Sequence, residues 1–235
     1  MNIILFDKDT RHFDCSDERF LHIRKVLRLK EGDSFIAGEY DSFRGEAVIT
    51  SLTGDGLDFS FHPHCDDSEL NPLTMILAMV RPICMKRILR ELASMGLSRL
   101  ILVKSDLGEK SYQEAGLYTN GEYREIVVSG AMQGGHTGIM KVSFASCLEE
   151  ALEMNESDTD LLLDNVIGSK RFCELDLKGR VLTIAVGSER GWSAREREVF
   201  LSHSFIPVKM GDRILRSETA AVASSALALE AMGII

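Results

Sequence analysis

The sequence predicts an α/β protein in which a small β-barrel precedes a parallel α/β domain. Three observations predict it. The first 62 residues break into short strands punctuated by turn residues, the pattern of a compact barrel. From Leu73 onward the apolar runs become continuous, MILAMV (75–80), LILV (100–103), LLL (161–163) and VLTIAV (181–186), as strands covered on both faces require. Those runs alternate with helical segments, the order that builds parallel sheets. With 235 residues, 45% of them apolar, the chain can bury one large core or two smaller ones, which excludes a disordered or fibrous protein.

In the first part, residues 2–6, 34–37, 43–50 and 57–62 read as strands, separated by GEYDS and TGDG. One helix interrupts them. Ser16 is placed to cap it, Asp17 and Glu18 suit its positive first turn, and Phe20, Ile23 and Leu27 share one face, with Arg24, Lys25 and Arg28 displayed elsewhere. The polar stretch HPHCDDSELNPL, aperiodic and with two prolines, reads as an interdomain linker. Beyond it, Met85, Ile88, Leu89, Leu92 and Met95 form one helical stripe with Lys86, Arg87 and Arg90 off it, and Gly96 ends that helix. A last helix over 218–232 carries small residues on most of its surface, suiting either a tight core position or a subunit interface.

Charge is unevenly spread. The formal net charge is -9, yet residues 149–164 hold seven acids and no Lys or Arg, while residues 11–30 carry six cations against three acids and residues 81–104 six against one. The two basic segments are able to track a phosphate backbone, or simply to solvate exposed helix faces. No stretch approaches the roughly 20 apolar residues needed to cross a bilayer. The N-terminus meets Asp7 and Lys8 too early for a secretory signal, so a cytoplasmic protein without a membrane partner is expected. Five scattered cysteines with no CxxC pair exclude a zinc ribbon or disulfide framework and suggest buried free thiols; no metal centre is expected.

The sequence contains neither GxGxxG nor GxxxxGK[ST], nor GxSxG or HExxH, so dinucleotide, P-loop, hydrolase and zinc-protease chemistries lose their main support. Two glycine-marked turns after apolar strands remain. In VLTIAVGSERGW, Gly187 and Gly191 bracket Ser188, Glu189 and Arg190; in FIPVKMGDRILRSETA, Gly211 turns the chain and Ser217 with Glu218 starts the final helix. Ligands of parallel sheets bind beyond the carboxyl ends of the strands, so these turns imply a pocket lined by main chain, although either is also compatible with an ordinary strand-to-helix loop.

Three motifs carry a resemblance to a known family. HIRKVLRLKEGD (22–33) resembles an H-x3-VLR-x3-GD element, AVGSERGWS (185–193) is similar to IGPEGGFS, and MGDRILRSETA (210–220) matches LGxRILRxETA. All three belong to the RsmE-type 16S ribosomal RNA uridine N3-methyltransferases of the SPOUT superfamily. The resemblance implies a PUA-like RNA-binding barrel over residues 1–70 and a trefoil-knotted SPOUT α/β domain over 71–235. It implies S-adenosylmethionine as cofactor, held by Asp164, Asn165, Gly187, Glu189, Gly191, Met210, Gly211, Ile214 and Leu215. It also implies 16S ribosomal RNA as partner and a homodimer with cofactor pockets beside the subunit interface. Departures are Ser188 for the proline and Arg190 for the second glycine of GPEGG, and Met132–Gln133–Gly134–Gly135–His136 where the family shows EQSxR.

Methylation of uridine N3 asks mainly for positioning and for a cation where charge develops on O2 and O4. That role falls to Arg216, with Arg213 as second candidate and Glu218 orienting one of them; a salt bridge to Glu218 or a phosphate contact is the alternative for Arg216. The sequence does not identify the proton acceptor; His136 and solvent hydroxide are candidates. Flanking phosphates are expected on Arg24, Lys25, Arg28, Arg81, Lys86, Arg87, Arg90 and Arg190. A non-catalytic RNA-binding or ribosome-assembly factor, a methyltransferase for a different nucleotide and a small-molecule α/β enzyme stay open.

Overall fold

The computed structural model describes residues 2–235. The chain divides into two compact units, one made of the chain up to Glu69 together with Ala131–Ile139, the other of Leu70–Gly130 and Met140–Ile235.

The first unit contains β1 (Ile4–Phe6), β2 (His12–Asp14), a short helix α1 (Glu18–Leu21), β3 (Ser34–Glu39), β4 (Phe43–Leu52) and β5 (Gly56–Asp66). They form one five-stranded sheet in the order β1-β3-β4-β5-β2, a half-barrel with β1 and β2 at its edges. The alternation along β4, where Gly45, Ala47 and Ile49 are buried between exposed or half-buried neighbours, puts one face on the core. That core is aromatic: Phe6 and Phe13 lie 5.1 Å and 4.9 Å from Phe59. Arg19 roofs it, its guanidinium 4.3 Å from the Phe13 ring and paired with Asp17 at 2.6 Å.

Several expectations change here. Asp17, not Ser16, caps α1, accepting from the Arg19 amide. Residues His22–Leu27 then wind as a π-helix. Its wider turn keeps Ile23 in the core but carries Leu27 to the surface, off the face that a 3.6-residue period gives it. The predicted linker is largely strand, because β5 runs on through His62, Pro63, His64 and Cys65 and the next strand starts at Asn71. The first unit also takes in residues 131–139, which the sequence reading gave to the second domain: the amides of Asn2 and Ile3 donate to the Met132 carbonyl, and Thr137 Oγ1 donates to the Ser42 carbonyl. The thiols are not interior; Cys15, Cys65, Cys147 and Cys173 are exposed and Cys84 is half-buried.

At one sheet edge, His12 Nδ1 lies 2.7 Å from Asp58 and its Nε2 3.4 Å from Asp14. The hydrogen bond to Asp58, foremost, and that to Asp14 raise its pKa above the ordinary 6.5 despite some desolvation. A raised folded-state pKa gives stability that is present below pH 6.5 and lost as the pH climbs through the folded value. An NMR titration of His12 is expected to show a midpoint above 6.5, brought down by Asp58→Asn.

The second unit holds β6 (Asn71–Ala78), α2 (Pro82–Ser94), β7 (Leu97–Val103), α3 (Gly116–Thr119), α4 (Glu122–Gly134, of which residues 131–134 belong to the first unit), β8 (Lys141–Ala145), α5 (Leu148–Glu153), β9 (Thr159–Leu163), β10 (Leu182–Val186), α6 (Ala194–Ser202), β11 (Ile206–Val208) and α7 (Ser217–Met232). The six strands form an all-parallel sheet in the order β11-β9-β10-β6-β7-β8. Every residue of β10 and the last four of β6 are buried, as continuous apolar runs predict for strands covered on both faces. Met85, Ile88, Leu89 and Leu92 seat α2 in the core. The small residues Ala221, Ser224, Ser225 and Ala228 of α7 are buried within the chain, where the helix packs against α2, β6 and β10. Because the strands are parallel, all their carboxyl ends emerge at one edge of the sheet, and the topology makes β9, β10 and β11 neighbours there.

Candidate active site

The segments following β9, β10 and β11 enclose a cavity of about 260 Å³. The first is shaped by Asp164. One carboxylate oxygen accepts from the amides of Val166 (2.7 Å) and Ile167 (3.0 Å), and the other accepts from Arg197 Nε of α6 at 2.9 Å. The Asp164 side chain is only 3% exposed, so the ion pair is nearly closed to water. The second segment is a tight turn in which the Gly191 amide donates to the Ser188 carbonyl at 2.9 Å and Gly191 takes φ +70°. A Cβ on Gly187 would lie 2.9 Å from Gly191 Cα, which leaves only glycine there. Ser193 then caps α6, its hydroxyl accepting from the Glu196 amide while buried Glu196 accepts from the amides of Ser193 and Asp106. The third segment is fixed at its root, where the Lys209 amide donates to the Lys170 carbonyl and the Asp164 amide to the Val208 carbonyl.

Of the residues expected to hold a cofactor, Asp164, Asn165, Gly187, Glu189, Gly191, Met210, Ile214 and Leu215 all line this cavity; Gly211 does not, standing beside it as a turn residue with φ +128°. Glu189 Oε1 accepts from the Arg81 amide at 3.2 Å, tying the turn to the start of α2, and Arg81 Nε donates to the Tyr112 hydroxyl. The catalytic candidates separate. Arg213 lines the cavity, Arg216 is exposed at the N-cap of α7, and neither forms an ion pair among the described residues. Glu218 therefore orients neither arginine; it lies against Cys84, whose thiol is pushed up by burial and by this neighbouring carboxylate. His136 belongs to the first unit, with Nδ1 3.0 Å from Asp67, and is not among the cavity residues.

The basic residues divide likewise. Arg24, Lys25, Arg28 and Arg190 are exposed, and Arg190 also lines the cavity. Lys86 is paired with Glu122, whereas Arg87 and Arg90 border a groove between α2 and α7. Sequence reasoning missed Arg197, Ser217 and Ala220 as lining residues. Arg197 had no signal of its own: its partner lies 33 positions away. Within the motif at residues 22–33, Arg28 (φ +58°) ends the π-helix, Asp33 accepts from the Lys30 amide and the Gly32 amide donates to the Ile49 carbonyl.

A family model described as an RNA methyltransferase domain matches residues 67–229, and one described as an RNA methyltransferase PUA domain matches residues 16–61. The ribosomal RNA small subunit methyltransferase E of Treponema pallidum is 35% identical over 241 residues, covering 97% of this chain and 91% of that protein. The chain belongs to this methyltransferase family. A second member, from Borreliella burgdorferi, is 29% identical over 96% of both chains. The crystal structure of the Neisseria gonorrhoeae member, bound to S-adenosyl methionine, superposes with a TM-score of 0.80 at 21% identity, covering 98% of this chain and 97% of that one. The fold is accordingly that of the family, a PUA-like half-barrel and a SPOUT α/β domain, and the protein is an RNA methyltransferase. No helix among the described residues is long and apolar enough to cross a membrane.

Proposed function

We propose that this protein transfers a methyl group from S-adenosylmethionine to N3 of a uridine in the 16S RNA of the small ribosomal subunit. One observation carries the reading: three segments from the carboxyl edge of the sheet meet around one cavity with main chain, apolar side chains and the arginines Arg190, Arg197 and Arg213 at its surface. The residues present fit the cofactor. Gly187, where a side chain would strike the Gly191 backbone, lets the turn close into a wall of main chain, and Ile214, 85% exposed, with Leu215, 37% exposed, offers apolar surface for a flat ring to cover. The relatives' names support the RNA substrate, and the ligand of the Neisseria structure supports the cofactor.

Bound there, S-adenosylmethionine supplies an electrophilic methyl group on a cationic sulfur. Asn165, Gly187, Gly191, Met210, Ile214 and Leu215 would hold it, with Asp164, Glu189 and Gly211 fixing the loops that carry them. The chain's own chemical contribution is electrostatic. As N3 of the uridine gives its proton to solvent hydroxide and attacks, negative charge spreads to O2 and O4; a guanidinium aimed there stabilises the transition state more than the neutral base. Arg213, at the cavity, takes this role together with Arg216. The base has to be unpaired for its N3 edge to be reached. Arg24, Lys25, Arg28, Arg81, Arg87, Arg90 and Arg190, with Lys86 after it leaves Glu122, hold the flanking phosphates.

The segments after β9 and β11 are further proposed to be threaded as a trefoil knot, supported by the hydrogen bonds that join Lys170 to Pro207 and Lys209. Two copies are proposed to join along α2 and α7, where Ile88, Val222, Ala223 and Ala226 line a groove of about 570 Å³. The enzyme is further proposed to act in the cytoplasm, a reading supported by the ribosomal RNA named for its relatives. Mass spectrometry of 16S RNA from cells lacking the protein is expected to show loss of one N3-methyluridine, restored by the wild-type chain. Arg213→Ala at saturating cofactor is expected to lower kcat about 100-fold, in the range for removing a transition-state donor; unchanged turnover in both Arg213→Ala and Arg216→Ala would take the arginines out of the chemistry.

A further inference from the structure

The geometry points to a second RNA contact, a pocket on the first unit that takes one unstacked nucleobase. The inference rests on the reading of the protein as an enzyme acting on RNA, and it concerns a part of the molecule remote in sequence from the methyl-transfer motifs.

It begins with the π-helix. The winding of His22–Leu27 leaves Val26 65% and Leu27 41% exposed, and Ile36 is 48% exposed. Beneath Leu27 and Ile36 lies a cavity of about 290 Å³, walled by Ile3, Ile4, Leu27, Leu29, Phe35 and Ile36. This is at the lower end of the ~300–1,000 Å³ of drug-sized sites and suits a single heteroaromatic ring. Uncovered apolar side chains around a concavity mark a binding surface, since nothing in the fold repays their exposure.

Charge selects the occupant. Arg24, Lys25 and Arg28 alternate with the apolar residues in the same segment, all three are exposed, and none forms an ion pair among the described residues. On a chain of net charge -9 such a patch attracts a polyanion and not an apolar peptide. The polar groups at the rim are already engaged: Ser34 Oγ donates to Glu46 and Asn2 Nδ2 to the Gln133 carbonyl. The pocket thus buries a ring without reading its edge, so the contact tolerates different bases, while the cations hold the phosphates on either side.

The test is fluorescence titration of the full-length protein with a short fluorescein-labelled oligouridylate and with its abasic counterpart. Leu27→Ser is expected to weaken the oligouridylate about tenfold, leaving the abasic oligomer and the salt dependence unchanged. Lys25→Ala is expected to weaken both oligomers and to reduce the salt slope by about 1. Ile36→Ser, on a different element, repeats the first result should Leu27→Ser unfold. Wild-type affinity of both apolar variants for both oligomers would overturn the pocket. A change in the sedimentation of the Leu27→Ser protein alone would overturn it in favour of a contact between two copies. S-adenosylmethionine binding, measured by calorimetry, stays at the wild-type level in all these variants, so failure of the cofactor reading and failure of this pocket give different results.

Discussion

Replacing Gly187 by alanine is expected to weaken binding of S-adenosylmethionine about 100-fold, the scale on which small displacements of positioning groups act. The added methyl would lie 2.9 Å from both Cα and the carbonyl carbon of Gly191 and 3.3 Å from the Trp192 amide nitrogen. These are backbone atoms and have no rotamer to change. Gly191 cannot readily retreat, because its amide is bonded to the Ser188 carbonyl, Trp192 beside it is 1% exposed, and Ser193 is locked into the cap of α6. The turn therefore has to open, and the cavity wall it forms moves with it. Calorimetric titration with S-adenosylmethionine checks the result, with near-ultraviolet circular dichroism of Trp192 confirming that the core around it persists. Wild-type affinity in Gly187→Ala would mean that this turn is not part of the cofactor site.

Arg197→Ala is expected to destabilise the protein by about 3 kcal/mol, the lower end of the cost of stranding one partner of a buried ion pair. On the usual scaling for a chain of this size, that lowers Tm by about 10 °C. The reason is the environment of Asp164, 3% exposed in the intact protein, which keeps its two amide donors but loses its cationic partner Arg197. Urea denaturation measures the loss. Asp164→Asn in the Arg197→Ala background is expected to recover part of it, since the uncompensated charge is gone, and a double-mutant cycle isolates the pair. The same substitution is expected to weaken cofactor binding: Arg197 Nη2 also lies within 3.9 Å of where a side chain on Gly191 would begin, so its guanidinium stands between the two segments that form the cavity. Additive behaviour of the two single variants would show that no coupling exists.

Much of the second unit was legible because burial on both faces leaves a simple trace. The runs 75–80, 100–103, 161–163 and 181–186 each mark a parallel strand, β6, β7, β9 and β10. β8 and β11 left weaker traces. β8 lies at a sheet edge with a half-exposed pattern, and β11 has only three residues, one of them proline. In the first unit the aromatic core was present as composition, but β2 was too short to register, and the π-helix broke the 3.6-residue spacing on which Leu27 was assigned inward. The glycine-marked turns were readable, because Gly187 and Gly191 answer to local steric demands. The roles of Glu218 and Lys86 were not. Each has a partner in a distant element, Cys84 and Glu122, that spacing along the chain does not reveal.

By itself the sequence determined the change from alternating to continuous apolar strands, the helices between them and the two turns beyond the late strands, since all of these follow from interactions among near neighbours in the chain. Only the tertiary structure decided that β9 lies between β10 and β11, that Arg197 neutralises Asp164, that residues 131–139 join the first unit and that Val26 and Leu27 face outward. The physical reason is that such pairings are chosen by burial and charge compensation among segments far apart in the chain, and hydrophobic periodicity carries no record of which distant surface a residue will meet.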